Sequence, residues 1–164
     1  MIFLLKSTPC WLTSAKLHHW GQTIRESLVT ILNIKLEGAS NIQYSLPVSL
    51  GGLGIRSAVD ISIPAFLSSS YVTIAGVNAL FPTLSTLQDN SFHNSAKDIW
   101  LDRLGPTVEL PGNQSIQAGW DLPYCRKKYD NLLSWTESKA DKARLRSILE
   151  TVLDSRKLDE VYYL

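Results

Sequence analysis

The strongest constraint on how this chain can fold is a middle section that is almost free of charge. Residues 38–96 carry only three charged side chains, Arg56, Asp60 and Asp89, whereas residues 97–164 carry 22. Charged side chains lie mostly on solvent-facing surface, so a section without them cannot cover much of that surface alone. The middle is therefore expected either to form the core of the domain or to present a face that packs against another protein. The core is the preferred interpretation.

Length and composition are typical of one folded domain. The 164 residues divide into an N-terminal segment with a first helix (1–37), the charge-poor middle (38–104) and charged C-terminal helices (105–164). A formal net charge of +1 gives no general attraction to nucleic acid or membrane, so any polyanion binding needs a local patch. Cys10 and Cys125 form no disulfide framework, which indicates a reducing, intracellular setting.

An uncharged stretch over residues 61–88 is long enough to cross a bilayer. Pro64, Gly76, Asn78 and Pro82 interrupt it, whereas a spanning helix needs about 20 predominantly apolar residues. The prediction is a buried helix and no membrane partner. The opening MIFLLK is also too short for the core of a signal peptide.

Hydrophobic spacing predicts a first helix over residues 13–35. The apolar residues that share one face of it are Trp20, Ile24, Leu28 and Ile31. Gly38 stands just past the end, where a left-handed residue commonly closes a helix. A loop rich in glycine and proline follows near residues 38–56.

Further helices are predicted from cap motifs and prolines. The expected starts are Ser57 with Asp60, Ser95 with Asp98, and Pro123 as a first helical residue, followed by a last helix over 139–153. Pro64 predicts a kink, or a short turn before a second helix over 65–79. A loop is expected over 105–114. The predicted fold class is all-α, an irregular bundle of about five to six helices.

Three glycines, Gly51, Gly52 and Gly54, lie in the apolar run LPVSLGGLGIRSA. A dinucleotide-binding loop needs G-x-G-x-x-G after a strand, and Ser57 stands where the third glycine belongs. Residues 51–54 also fit the G-x-x-G loop with which KH modules hold a nucleic-acid backbone, but no basic residue lies between the two glycines. A tight structural turn is the prediction.

Neither metal binding nor catalysis has a specific motif. His18 and His19 are adjacent, so on a helix they point about 100° apart and cannot face one ion. Together with His93, Cys10 and Cys125 they match no zinc spacing. No catalytic residue, metal, cofactor or small-molecule ligand is therefore expected. A cavity that gathers a histidine with a serine and a carboxylate would instead indicate a small hydrolase.

The C-terminal third holds the main concentration of positive charge. Its candidate nucleic-acid-binding residues are Arg126, Lys127, Lys128, Lys142, Arg144 and Arg146. Tyr124, Tyr129 and Trp135 are interleaved with them, and basic side chains track a phosphate backbone while aromatic rings stack on bases. The aromatic spacing is equally typical of a helical core, and acidic residues dilute the patch. A solvated helix face is the preferred interpretation of this segment.

Several short motifs, taken in order, resemble a known class of sequence. They are FLLKSTPCW (3–11), LPVSLGGLGIRSA (46–58), PAFLSSSY (64–71), WDLP (120–123) and KARLRSI (142–148). Together they are similar to the region after the polymerase core in reverse-transcriptase-type reading frames of non-LTR retroelements. LPxxLGGLGIR followed by PAFLSS is the most specific part. The resemblance covers about residues 3–150 and carries over no catalytic residue, since the chain has no Y-x-D-D and no adjacent aspartates.

The resemblance implies a non-catalytic helical segment that lies beyond the palm and helps to position template or primer. RNA, an RNA–DNA hybrid, or a polymerase domain outside this chain would be its partners. After Ile148 the sequence departs from the pattern of the resembled proteins, which suggests a truncated or decayed reading frame. A helical protein–protein interaction module without nucleic-acid binding is the alternative.

Overall fold

The computed structural model of the chain describes residues 2–83 and 90–134. Every regular element in these ranges is helical, so the all-α class is confirmed there. The elements are α1 (Ile2–Ser7), a 3-10 turn (Cys10–Thr13), α2 (Ser14–Leu32), α3 (Ala39–Gln43), a 3-10 turn (Val48–Leu50), α4 (Ala58–Leu80), α5 (Ser91–Leu104) and α6 (Gln117–Ser134). The predicted helix over 139–153 lies outside the described residues.

The chain divides into two units by its internal contacts. The first unit comprises Met1–Arg25 and Ala58–Tyr124, and the second comprises Glu26–Ser57 and Cys125–Leu164. The described part of the second unit ends at Ser134. Helices α2 and α6 each contribute residues to both units.

Two tryptophans organise the main core of the first unit. Trp100 on α5 and Trp120 on α6 are fully buried, and their rings meet edge to face with centroids 5.2 Å apart. The indole N–H of Trp100 donates to the backbone carbonyl of Trp120 at 2.8 Å, so this polar group is satisfied inside the core. Ile63 and Leu67 of α4 pack on the same cluster.

A second apolar cluster fixes the N-terminal segment within the first unit. Leu5 of α1 and Leu17 of α2 pack with Ala58 and Ala65 of α4. Alanines on α4 leave room for a close approach, and α1 packs against α4 along its length. Helix α1 was not predicted from the sequence.

Helix α4 continues through Pro64 as one helix, so the alternative of a short turn and a second helix over 65–79 was wrong. Proline removes one backbone hydrogen bond and costs about 3 kcal/mol within a helix. Here Pro64 is fully buried among other core residues of the first turns, and that burial offsets the lost bond. The hydroxyls of Ser62 and Ser68 are also buried, and they donate to the carbonyls of Val59 and Ala65 in the same helix.

The predicted starts of two helices were wrong. Helix α5 begins at Ser91, one turn before the expected cap at Ser95, and its N-cap residue Asn90 makes no side-chain cap bond. Helix α6 begins at Gln117, so Pro123 lies inside it rather than at its first position. A cap motif shows that a residue can start a helix, but it does not exclude a start further upstream.

The end and the face of α2 also differ from prediction. The helix ends at Leu32, where Asn33 adopts the left-handed conformation expected of Gly38. Asparagine tolerates this region better than most residues, because its side chain can bond to the nearby backbone. The predicted apolar face is only partly covered: Trp20 is 46% and Ile31 is 79% accessible, whereas Ile24 and Leu28 are half-buried.

The second unit has a small core of its own. Leu46, from the loop between α3 and α4, is fully buried against Leu132 of α6. Ile42, Leu50 and Tyr129 pack around this pair. The loop predicted near 38–56 thus contains a short helix, α3, and a 3-10 turn, both of which serve this core.

Candidate functional site

The basic residues of α6 diverge rather than form one patch. Arg126 and Lys127 are exposed, whereas Lys128 is half-buried and its Nζ lies 3.4 Å from Ser45 Oγ. Successive residues of an α-helix point about 100° apart, so Arg126 and Lys128 face different directions. Only Arg126 and Lys127 therefore offer neighbouring exposed cations on α6. Lys142, Arg144 and Arg146 lie outside the described residues.

The aromatic residues near these cations are committed to packing. Tyr124 is 8% exposed and belongs to the core of the first unit, and Tyr129 packs in the core of the second. The buried ring of Tyr124 offers no face on which a nucleic-acid base could stack, whereas Tyr129 is half-buried and keeps part of its surface in contact with solvent. The interleaved aromatic pattern thus reflects core spacing for both residues. Trp135 lies outside the described residues.

The glycine-rich turn uses its amide groups internally. The backbone N–H of Gly51 donates to Val48, that of Gly52 donates to Pro47, and that of Gly54 donates to Leu46 at 2.8 Å. Gly51 and Gly54 adopt positive φ angles of 75° and 72°. A phosphate cradle presents free backbone N–H groups to its ligand, and here these three N–H groups already have partners. The three glycines therefore form a structural turn next to Leu46 and not a phosphate-binding loop.

A contact that no sequence pattern predicted joins this loop to α6. The Nη1 of Arg56 donates to the sulfur of the buried Cys125 at 2.8 Å. The two residues are 69 positions apart, so no local pattern could have paired them. Arg56 follows directly on the glycine-rich turn, and its bond helps to hold the loop against α6 within the second unit.

Helix α4 changes character halfway along its length. Its first half is buried, with Ile63, Ala65 and Leu67 inaccessible to solvent. We call residues 71–80 the outer half of α4; Tyr71 is 41%, Val72 is 52% and Leu80 is 75% exposed there. The outer half carries no charged residue. An uncharged, exposed apolar helix face is a typical docking surface.

A cavity of about 550 Å³ lies in the first unit, between α1, α4 and α5. Phe66, Phe92 and Ile74 supply apolar walls, while Lys6 and Asn90 are among the polar lining residues. Ligand sites commonly have volumes of about 300–1,000 Å³ with a few polar groups, so this cavity is of suitable size.

A serine and a histidine form a hydrogen bond in the same cavity. Ser70 Oγ lies 2.8 Å from Nδ1 of His93, and it also lies 3.1 Å from the carbonyl oxygen of Leu67. Burial, helped by the nearby charge of Lys97, lowers the pKa of His93, so its imidazole is neutral at pH 7. No carboxylate lines the cavity within the described residues. The third member of a hydrolase triad is thus missing from this group.

The remaining candidates for chemistry stay apart. His18 and His19 are both exposed on α2, and Cys10 and Cys125 are not joined in a disulfide. Among residues 2–83 and 90–134, no three side chains of histidine, cysteine, aspartate or glutamate come together as metal ligands.

Tyr124 should reveal its burial when the protein is titrated with base. Burial raises the pKa of its phenol to about 12, although the nearby guanidinium of Arg103 acts in the opposite direction. The unfolded chain ionises this group near pH 10, so stability is expected to fall as the pH rises from 10 towards 12. Absorbance of phenolate should show one late titration step that Tyr124→Phe removes and Tyr71→Phe retains. An unchanged titration curve in Tyr124→Phe would contradict this assignment.

Helix α4 is the one helix of the described ranges that is long and apolar enough to cross a membrane, by length and composition alone. Part of it, 44% of the most apolar window, is buried within the protein. The outer half spans ten residues, which at 1.5 Å per residue extend about 15 Å, half of a hydrocarbon core of about 30 Å.

Comparison with known proteins adds no relative. No protein-family model matches the chain, and neither does any curated protein or solved structure. The similarity to retroelement proteins therefore rests on the motifs of the sequence alone and stays a prediction.

Proposed function

We propose that this chain is a non-catalytic helical accessory segment of a reverse-transcriptase-like protein, and that it docks on the polymerase part through the outer half of α4. The observation that carries this proposal is the uncharged, exposed surface of Tyr71, Val72 and Leu80. A partner that covers this surface would gain about 1.5–3 kcal/mol for each apolar side chain that becomes fully buried. The resemblance supplies the identity of the partner.

A protein surface fits the outer half of α4 better than a lipid surface does. Helices that lie on membranes pair an apolar face with a face rich in lysine and arginine, and residues 71–80 contain neither. The buried first half of α4 is fixed in the core around Ile63 and Leu67 and is not available for insertion. Apolar contact with another protein does not require a helix face rich in lysine and arginine.

The test is reconstitution with a polymerase core of the non-LTR type from which the equivalent segment has been removed. Sedimentation velocity should show a complex that persists from low to high salt, because apolar contacts are not screened. The double variant Val72→Glu/Leu80→Glu should abolish the complex without lowering the thermal midpoint of the free chain. A matched control, Ile116→Glu/Leu122→Glu, places the same charges on other exposed apolar residues of the first unit.

Each remaining outcome of this experiment argues against docking on a polymerase. A complex that survives Val72→Glu/Leu80→Glu would mean that another surface binds. No complex at micromolar concentrations would rule out the polymerase as partner. Sedimentation of the chain with phospholipid vesicles, lost in the same variant, would instead assign the outer half of α4 to a membrane.

Nucleic-acid positioning is a second function, which the exposure of Arg126 and Lys127 favours. Fluorescence anisotropy with single-stranded RNA and with an RNA–DNA hybrid measures it directly. Arg126→Gln/Lys127→Gln should lower the dependence of log K on log salt by about 1.4, since each phosphate contact to a single strand contributes about 0.7. Lys128→Gln should have a smaller effect, because Ser45 already engages its ammonium group.

Lys16 provides the matched control for this measurement, because it is an exposed lysine on α2 in the first unit. Lys16→Gln makes an equivalent charge change away from α6 and should leave the salt dependence unaltered. Equal slopes in Arg126→Gln/Lys127→Gln and in the unmodified chain would exclude this pair from nucleic-acid contact.

A further inference from the structure

The cavity of the first unit has polar groups that the fold itself does not use. Ser69 and Lys6 line it, and neither side chain has a hydrogen bond or ion pair within the described residues. The Oδ1 atom of Asn90 is buried and also lacks a partner there. Buried acceptors without partners are uncommon, because each costs about 1–3 kcal/mol.

Asn90 lies at a position where an asparagine side chain ordinarily caps the N-terminus of a helix. It occupies the N-cap position of α5, yet it makes no cap bond. A capping asparagine contributes about 1 kcal/mol, so the observed conformation gives up this contribution as well. Asn90 lines the cavity, so a rotation of its side chain would bring this solvent-inaccessible Oδ1 to a hydrogen-bond donor that enters there.

The charge of the described lining residues is positive only. Lys6 is exposed at the rim, and no aspartate or glutamate is among the lining residues that the structure describes. Ser70 and His93, whose hydroxyl and Nδ1 are hydrogen-bonded to each other, add two polar residues to the lining. A ligand with one negative charge would complement this arrangement, and a cation would not.

We propose that the cavity between α1, α4 and α5 binds a small organic carboxylate whose apolar body lies between Phe66 and Phe92. The carboxylate pairs with Lys6 at the rim, and a hydroxyl or amide donor of the ligand bonds to Asn90. The volume of about 550 Å³ accommodates a ligand with one aromatic ring. This inference goes beyond the proposed docking function and uses none of the residues of the outer half of α4 that the docking test changes.

Para-hydroxyphenylacetate and phenylacetate are suitable probes, since they differ only in the donor. Amide chemical shifts of the isotope-labelled chain should show saturable changes at Ser69, Ser70 and His93. Ligands of this size reach dissociation constants of about 1–10 mM. The neutral amide of para-hydroxyphenylacetic acid should bind about three- to tenfold more weakly, because it loses the charge that pairs with Lys6.

Two substitutions separate the parts of the proposed site. Lys6→Gln should weaken both acids by about three- to tenfold, while Lys16→Gln, an equal change of charge on α2, should leave their affinity unaltered. Asn90→Ala should abolish the advantage of the hydroxyl, so that the two acids bind equally. The far-ultraviolet circular dichroism of each variant verifies that it remains folded.

Three results would overturn the proposal. The first is the absence of saturable shifts at about 20 mM acid, well above the expected dissociation constants. The second is an equal effect of Lys6→Gln and Lys16→Gln on affinity. The third is a set of shifts confined to Val72 and Leu80, which would reveal contact with the exposed apolar face instead. Failure of the docking complex would leave all of these measurements unaffected.

Discussion

Replacing Gly52 with alanine is expected to disrupt the core of the second unit. A Cβ atom at this position would overlap the carbonyl oxygen of Leu46 and lie 2.6 Å from that of Gln43. Both obstacles are backbone atoms, so no side-chain rotation can relieve the clash. Because the turn is pinned by the bond from Gly54 N–H to Leu46, we expect a loss of about 3 kcal/mol or more in the free energy of unfolding.

Hydrogen exchange at the amide of Gly54 reports this loss locally. A destabilisation of about 3 kcal/mol corresponds to exchange about 100-fold faster in Gly52→Ala than in the unmodified chain. Gly112→Ala is the matched control: a Cβ there meets nothing within 4 Å, so stability should change by less than about 0.5 kcal/mol. Equal protection of the Gly54 amide in both variants would contradict this prediction, because it would show that the turn accommodates the added Cβ atom without loss of stability.

Removal of the indole of Trp100 should have a comparable effect on the first unit. The side chain is fully buried, and it contacts Trp120 and Tyr124 edge to face. Truncation of a buried tryptophan to alanine costs about 3–5 kcal/mol, through lost transfer energy and the cavity left behind. The substitution also leaves the backbone carbonyl of Trp120 without the indole N–H that it accepts.

Urea unfolding followed by far-ultraviolet circular dichroism measures this cost. Trp20→Ala is the matched control, because it makes the same substitution at a tryptophan that is 46% exposed. It should lower the free energy of unfolding by less than about 1 kcal/mol. A similar shift of the unfolding midpoint in both variants would contradict the assignment of Trp100 to the core. Trp100→Phe should lie between the two, since it keeps a ring but not the N–H.

Much of the fold could be predicted because helix ends are set by short-range chemistry. Helices α4 and α5 end just before Phe81-Pro82 and Gly105-Pro106, two stop signals that are visible in the sequence because proline cannot continue a helix. The starts were harder to predict, because several residues upstream could each begin a helix and packing selects among them. Asn90 and Pro123 show this selection directly.

The burial of the charge-poor middle could be predicted from the sequence only in part. Low charge predicted burial, and the first half of α4 is indeed buried around Ile63 and Leu67. The outer half carries no charge at all and is nevertheless exposed at Tyr71, Val72 and Leu80. A low charge content predicts that a segment is buried, but it does not predict whether the residues that bury it belong to the same chain or to a partner.

The candidate site was the least predictable part. Exposed cations such as Arg126 and Lys127 could be identified in the sequence, because charge is a local property. The cavity could not, since Lys6, Ser70 and His93 come from three separate helices. Only the packing of α1 and α5 on α4 brings them together.

The change of character along α4 also determines where natural selection can act freely. At Ile63 and Leu67 the fold itself demands an apolar side chain, so their retention over time would record nothing more than the need to fold. At Val72 and Leu80 the fold makes no such demand, and drift towards polar residues would leave the core intact. A lineage that kept apolar residues at these two positions would therefore have kept them for a partner.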